Sequence, residues 1–385
     1  MLPLEGTTVV ELGHYIAGPF ATQMLADYGA RVIKIEPKGG ESARSVFPVR
    51  NGRSAYYAAL NRGKESITLD LRDNEDLALF KEIIKTADAL VSNYRSGVLD
   101  ALGLSTSALH ALNSGLVYVP ITGYGLEGPY SSRPAFDGAI QAASGLMHVT
   151  GEEDSDPLRA GLFIPDHVSA MNAAFAVLLG IQGRRLTGRG GTYEISMLDV
   201  MASMHAYNFS LVSDIGASPI RKGNASSNTF SDVFPAKDGF VYIAAVSDKM
   251  WKNLTCAIGE PELSDRETGF PTVDDRLKHY DALVAKVANW TARLSLLEIE
   301  ECLLEHSVPF APIATVEQVL SNPQLVYREK FKTVEYGSEA LTVFDRIIPM
   351  PSPSSRRVED IGESTQRIKD EFETKMLSED AVGNV

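Results

Sequence analysis

Cysteine is almost absent from this 385-residue chain, which has only Cys256 and Cys302. Two isolated thiols make neither a disulfide framework nor a metal-ligand cluster. Both fall inside apolar helical patterns, which assigns them to the core. Basic residues are also short, with 36 Lys and Arg against 50 Asp and Glu and a net charge of −14. That balance argues against a nucleic-acid partner, which needs a basic face. No uncharged apolar run reaches the roughly 18 residues of a membrane span. The opening "MLPLEGTTVVELG" lacks the basic-then-apolar pattern of a signal peptide. The expectation is a cytoplasmic protein in a reducing compartment, without membrane attachment. Repeats and low-complexity tracts are missing too. What is present is an ordinary globular composition, 44% hydrophobic and 22% charged. At roughly 150 residues per domain it suggests two or three domains.

The first third of the chain alternates short β-branched runs with helical patterns. Strands are predicted at 7–12, 31–37, 66–71, 89–93 and 116–123, separated by helices such as "PFATQMLADYG", "DNEDLALFKEIIKTA" and "STSALHALN". Strands separated by helices imply crossover units and a mostly parallel sheet, with the ligand beyond the carboxyl ends of the strands. After Thr192 the texture changes. "TYEISMLDVMASMHAYNFSLV" reads as a short strand into one long helix, and "VFPAKDGFVYIAAV" as a hairpin. Helices follow near 250–258, 276–290 and 296–306. Residues 350–357, "MPSPSSRR", read as a linker before a charged terminal helix.

The first strand–helix unit invites a dinucleotide reading, with Glu36 placed as a ribose-binding acid. The turn "GHYIAGP" lacks G-x-G-x-x-G and has a proline where phosphate-cradling glycines belong, so the fingerprint fails. The turn still brings backbone amides, His14 and Tyr15 to the sheet's carboxyl edge. Lys34, Lys38, Arg44, Arg72 and Arg95 gather at predicted strand ends, a pattern that suits either a phosphate-bearing ligand or a solvated surface. No G-x-S-x-G is present and no histidine pair has metal-ligand spacing. Asp166 stands directly before an Ala-rich helix in "IPDHVSAMNAAFAVLLGIQG". It reads as a helix N-cap, a position where the dipole stabilises an anion by roughly 0.3–1 kcal/mol and keeps a carboxylate charged. Capping and nucleophilic chemistry are compatible there. Its neighbour His167 could orient it or simply occupy the first turn.

Seven segments in order resemble the class III coenzyme A transferases, the family of carnitine CoA-transferase and formyl-CoA transferase. They are "AGPFATQMLADYGARVIKIEP", "NRGKESITLDL", "ADALVSNYRSGVLDALGL", "ITGYGLEGPY…RPAFDGAIQAASGLM", "RRLTGRGG…ISMLD", "FPAKDGFVYIAA" and "SVPFAPIATVEQVLSNPQ". The resemblance implies an α/β fold with a Rossmann-like parallel sheet in a large CoA-binding domain and a smaller α+β domain. The large domain comprises 1–227 and 326–385, the small domain 228–325. It further implies a homodimer of two interlocked rings, no permanently bound cofactor and no metal, with a coenzyme A thioester and a small carboxylic acid as substrates.

The resemblance also assigns roles. Asp166 matches the family's nucleophile, which carries CoA through mixed anhydrides and an aspartyl-CoA thioester. Tyr15 and Ile16 match the turn that meets the nucleotide, Leu69 and Arg72 the adenine and phosphate contacts, and Asn93 and Tyr94 the contacts after the fourth strand. Three positions depart: Pro37 stands where a basic residue is usual, with Lys38 beside it as a substitute, and Ala101 and Pro134 replace two more. Arg95 and Arg133 are the neighbours that could compensate. "GEST" departs from the usual Gly-Glu-His-Thr. The glycine-rich loop over the formyl-CoA transferase intermediate has no match, and nothing reads as a carnitine cage. The family expectation is a succinyl-CoA donor and a small dicarboxylate acceptor. Two alternatives stay open: a 2-methylacyl-CoA racemase, although Phe136 stands where its histidine belongs, and a CoA-binding protein without catalysis.

Overall fold

The computed structural model describes residues 2–350 and 357–382, with side chains through Thr374. Most of the "MPSPSSRR" stretch therefore lies outside the described residues. The chain divides into two compact units. The first joins Met1–Leu146, Arg159–Gly216 and Pro323–Val385; the second joins Met147–Leu158 and Ala217–Asn322.

The first unit is built on parallel strands β1 (Thr8–Leu12), β2 (Arg31–Glu36), β3 (Glu65–Thr68), β4 (Ala89–Ser92) and β5 (Val117–Thr122), with two-residue strands β6 (Gly191–Thr192) and β7 (Ile195–Ser196) on β5. The order across the sheet is β3-β2-β1-β4-β5-β6. Val9, Val10, Val32, Ile33, Leu90, Val91 and Val119 are all buried, as expected for a sheet covered on both faces. Chain direction across the sheet reverses between β1 and β4. A crevice opens there at the carboxyl ends, and it is where such sheets bind ligands.

Helices α1 (Ala17–Asp27), α2 (Ala55–Asn61), α3 (Asn74–Thr86), α4 (Thr106–Leu112), α5 (Asp137–Ala143) and α6 (Ile164–Thr187) connect or cover the strands. Asp73 caps α3 through the N–H groups of Glu75 and Asp76, and Ser105 caps α4 through Ala108 N–H. The longest of them, α6, packs on α1 and β5. Ala170, Ala173, Val177 and Gly180 recur at helical spacing along its buried face. Gly180 is required: a Cβ there would sit 2.3 Å from Val117 Cγ1. The opposite face exposes Met171, Phe175, Leu178, Leu179 and Leu186. Among the described residues, α6 alone is long and apolar enough to cross a membrane, and half of that window is buried inside the protein.

Buried charge is concentrated under the carboxyl end of β1. Glu11 and Lys34 are direct cross-strand neighbours, and both are fully buried. Lys34 Nζ reaches Glu11 Oε1 at 2.6 Å and Glu41 Oε1 at 2.8 Å, while Lys64 Nζ reaches Glu11 Oε2 at 2.8 Å. Thr22 Oγ1 donates to Glu11 Oε2 at 2.5 Å. Burial pushes Glu11 up, but Lys34 and Lys64 outweigh it and hold the carboxyl below its usual range. Burial brings Lys64 down to about 8 despite Glu11. Beside this knot, Arg44 holds Glu36 at 2.6 Å and donates to the Tyr336 hydroxyl. Lys34 and Arg44 are therefore not ligand contacts, contrary to the strand-end reading. Both are consumed by carboxylates in the interior. Glu36 is equally unavailable to a ribose.

Three secondary-structure readings also change. The segment after Ser196 is not one helix but two, α7 (Met197–Ser203) and α8 (Ala206–Ser213), broken at Met204 and His205. The predicted helix over 276–290 is likewise split at His279, into Val273–Lys278 and Tyr280–Thr291. Late in the chain an unanticipated hairpin, β11 (Phe331–Tyr336) and β12 (Glu339–Phe344), packs Val334, Tyr336 and Leu341 against Tyr57 of α2. Its turn has left-handed Gly337. The second unit contains β8 (Phe230–Ala236), β9 (Gly239–Ala245) and β10 (Phe310–Pro312), an antiparallel sheet over a core of Phe230, Phe234, Trp251, Val287 and Leu303. Cys256 is exposed and Cys302 partly exposed, so neither is a core residue. Cys256 lies on the helix Asp248–Ala257 and Cys302 on Leu296–Glu305, where its thiol donates to Ala257 O at 3.5 Å.

Two outcomes test the buried charges. Lys34→Met leaves two buried carboxylates short of a partner and is expected to lower unfolding stability by about 3–5 kcal/mol in denaturant titration. For Glu36, burial is outweighed by Arg44 and Lys34, which lower its pKa to about 2. Its contribution is present above the unfolded value near 4.5 and lost as pH falls through about 2. The stability advantage of wild type over Glu36→Gln is expected to shrink across that window.

Candidate active site

The crevice between β1 and β4 holds a cavity of about 250 Å³. Its wall combines residues 14–17 after β1, 93–96 after β4, Ile121–Gly123 at the end of β5, Arg133 and Phe136 before α5, Met197 of α7, and Asp166. Of the residues expected from the sequence, Tyr15, Ile16, Asn93, Tyr94, Arg95 and Asp166 come together here. Lys38, Leu69 and Arg72 are not in this wall. Leu69 is buried with Ile35, Ile67 and Phe80. Lys38 is exposed 3.4 Å from Asp76, and Arg72 is exposed and paired with Asp70 at 2.9 Å. These two cations belong to the neighbouring carboxyl ends of β2 and β3.

The turn from β1 into α1 is held atom by atom. Asn93 Oδ1 accepts His14 N–H at 3.0 Å, and Asn93 Nδ2 donates to His14 O at 2.8 Å. Lys34 donates to Gly13 O at 3.0 Å. A side chain at Gly13 would meet Glu11 Oε1 at 2.8 Å, so the close approach of strand and turn depends on that glycine. Asn93 thus shapes the turn with both ends of its amide. The His14 ring packs on Tyr15 and Tyr94, and burial, with Lys34 nearby, holds its pKa below the ordinary value.

Asp166 is not the N-cap of α6. The helix begins at Ile164 with Phe163 as its cap residue, which makes Asp166 the third helical residue. Pro165 in the first turn needs no N–H acceptor there, which lets the helix start earlier than Asp166. Asp166 lies on the same face as Ala170 and Ala173, and this places its carboxyl at the buried side of the helix mouth. Its own N–H points to Asp137 Oδ2 at 3.4 Å. Asp137 is buried at the start of α5, where its Oδ1 accepts Gln141 Nε2 at 2.7 Å. Gln141 in turn holds Leu162 O and Ala160 N–H, and so fixes the chain that enters α6.

Burial, with the Asp137 carboxylate beside it, raises the Asp166 pKa to about 7. A dipole worth about 0.3–1 kcal/mol does not offset that desolvation. The expectation that helix placement keeps the carboxyl charged is corrected accordingly: near neutral pH it titrates. The Tyr56 phenol on α2 is raised by burial and then by the Asp166 charge. It remains a proton donor near that carboxylate. His167 is turned away, with Nδ1 on Phe163 O at 2.7 Å and its ring edge-on to Phe20. Phe136 lies edge-on to Tyr15. Asp137 and Tyr56 were not singled out from the sequence. Only the D-x-x-x-Q spacing of 137 and 141 hinted at the first, and nothing local marked the second. Among the described residues no group of three His, Cys, Asp or Glu could hold a metal ion.

Residues 4–357 match the family described as CoA-transferase family III. The succinyl-CoA–D-citramalate CoA-transferase of Chloroflexus aurantiacus is 33% identical, over 97% of this chain and 94% of that protein. The succinate–glutarate CoA-transferase of Agrobacterium fabrum is also 33% identical, over 85% of this chain and 84% of its own. A crystal structure of a CAIB/BAIF family protein from Brucella suis superposes with a TM-score of 0.85 at 31% identity, covering 96% of this chain and 99% of the other. The parallel sheet, the crevice at its strand reversal and these likenesses together establish that the chain belongs to CoA-transferase family III.

Proposed function

We propose that this protein moves coenzyme A from an acyl-CoA donor to a small carboxylic acid, with Asp166 as the covalent carrier. The observation that carries the reading is the placement of Asp166 in one cavity with Tyr15, Ile16, Tyr94 and Arg95. The ionised carboxylate attacks the donor thioester carbonyl, which gives an aspartyl–acyl anhydride and CoA thiolate. The thiolate attacks the aspartyl carbonyl, releases the donor acid and leaves an aspartyl-CoA thioester. The acceptor carboxylate attacks the same carbonyl and expels the thiolate. The thiolate then takes the acceptor acyl group and frees Asp166. Partial desolvation makes a carboxylate a stronger nucleophile than it is in water. Ala17 opens α1 at the cavity wall, where first-turn N–H groups have no intrahelical acceptor and suit a developing oxyanion.

Both relatives named above act on small dicarboxylic acids by their names, which supports an acceptor of that class. Lys38 and Arg72, at the neighbouring strand ends, are offered as contacts for the nucleotide end of CoA, and Leu69 as packing beneath it. The interlocked homodimer is supported by the apolar side chains exposed on α6 and by Tyr207, Phe209 and Val212 on α8. Apolar surface of that extent is commonly covered by a partner. The racemase reading is weakened by Phe136, which carries no proton, and by the orientation of His167.

Turnover is tested with a matrix of acyl-CoA donors and carboxylic acids. Asp166→Ala is expected to lower kcat by about a thousandfold or more, and full turnover by that variant would refute the carrier role. Incorporation of deuterium from D2O into a 2-methylacyl-CoA, with no acceptor present, would favour the racemase instead. Tight CoA binding without turnover of any acid pair would leave only the binding protein.

The raised pKa gives a second outcome. Since only ionised Asp166 attacks, kcat/KM for the donor is expected to rise with pH through about 7. Asp137→Asn removes a like charge and should move that midpoint downward. Because the folded pKa lies above the unfolded one, ionising Asp166 costs stability. Asp166→Asn should therefore gain stability over wild type between about pH 4 and pH 7, and hold that gain above it. Thermal melts across pH check the sign.

A further inference from the structure

One buried carboxylate at the site is not used by the proposed chemistry. Glu41 follows β2 in "EPKGGESAR", and its side chain reaches back under the turn that joins β1 to α1. Its Oε2 accepts the Tyr15 N–H at 3.0 Å, and its Oε1 is anchored on fully buried Lys34 at 2.8 Å. Its own N–H donates to Glu36 Oε2 at 3.1 Å, which ties it to the Arg44 pair as well.

Among the described residues Tyr15 is one of four non-glycine residues with positive φ, at +60°. A side chain is disfavoured in that conformation, so it persists only where the surroundings over-determine it. The surroundings here are the Asn93 clamp on His14, the Lys34 bond to Gly13 O, and the Glu41 bond to Tyr15. Only the Glu41 bond acts on the left-handed residue itself. A charged acceptor is the stronger kind of hydrogen-bond partner, and inside a protein its strength is little screened. The tyrosine ring then faces the cavity beside Phe136, and Ile16 follows at its wall.

We propose that Glu41 is a positioning residue for acyl-CoA: braced on Lys34, it locks Tyr15 in the left-handed conformation that sets how Tyr15 and Ile16 meet the substrate. This rests on the CoA-transfer reading above. A family of phosphate-binding turns solves the same geometric problem with glycine. Here a buried charge replaces the glycine and leaves room for an aromatic side chain at the ligand.

The test measures the Kd for CoA by calorimetry, and KM and kcat for the donor, in wild type, Glu41→Gln, Tyr15→Gly and the double variant. A glutamine can accept from Tyr15 or face Lys34, but not serve both. Glu41→Gln is expected to weaken CoA binding and raise KM about tenfold, with kcat at saturation much less affected. Glycine adopts positive φ without strain, so in the Tyr15→Gly background the same change should cost less than about threefold. Equal losses in both backgrounds, or a loss confined to kcat, would overturn the proposal. Should Glu41→Gln fail to fold, Glu41→Asp keeps the charge but withdraws the acceptor from Tyr15. A folded Glu41→Asp with undiminished CoA affinity would equally overturn it. A wild type that neither binds CoA nor turns over defeats the parent reading, whereas an active wild type with additive variants defeats only this one.

Discussion

The Glu11–Lys34 pair is the constraint on which the rest of the site depends. Two opposite charges face each other across neighbouring central strands and are removed from water completely. Such a pair gains little net stability over apolar residues, but it is unforgiving of disorder, because each partner is costly when alone. Lys34 uses its remaining donors on Gly13 O and Glu41, and Lys64 braces Glu11 from the other side. The first loop of the sheet is thereby fixed from below. The position of the cavity wall is thus set by charges buried beneath it.

Asp166 shows the opposite use of burial. Among the described residues no cation is paired with it; instead Asp137 stands beside it, and both burial and like charge favour the protonated form. Pairing alone does not decide a carboxylate's state here, because burial raises Asp27 and Glu41 although each faces a cation. Glu11 and Glu36 are paired and held ionised, and Asp166 is left unpaired and raised. A helix dipole by itself favours the anion. The geometry puts Asp166 two residues inside the helix, on the buried face, where desolvation is the larger effect.

Much of the fold was legible because parallel strands buried on both faces are nearly continuous apolar runs, and the intervening helices carry clear spacing. Asp166 was legible as a position, through the order of segments around it. Its environment was not, because Asp137 comes from a separate helix and Tyr56 from another. The basic residues at strand ends misled for a related reason. Sequence shows that Lys34 and Arg44 are charged, but not that Glu11, Glu41 and Glu36 are waiting beneath them. A polar position recurring inside otherwise apolar strands, Glu11 in "VVEL" and Lys34 in "VIKIE", was the available sign of a buried pair. The hairpin at Gly337 was similarly signalled by a Gly-Ser dipeptide between alternating runs.

In the proposed reaction CoA becomes covalently attached to one side chain. The direct measurement is peptide mapping by mass spectrometry after the protein is mixed with an acyl-CoA donor in the absence of acceptor and quenched in acid. A CoA thioester is expected on the peptide containing Asp166, discharged when a suitable carboxylic acid is added. Productive CoA transfer with no adduct on that peptide, or with the adduct on another residue, would contradict it.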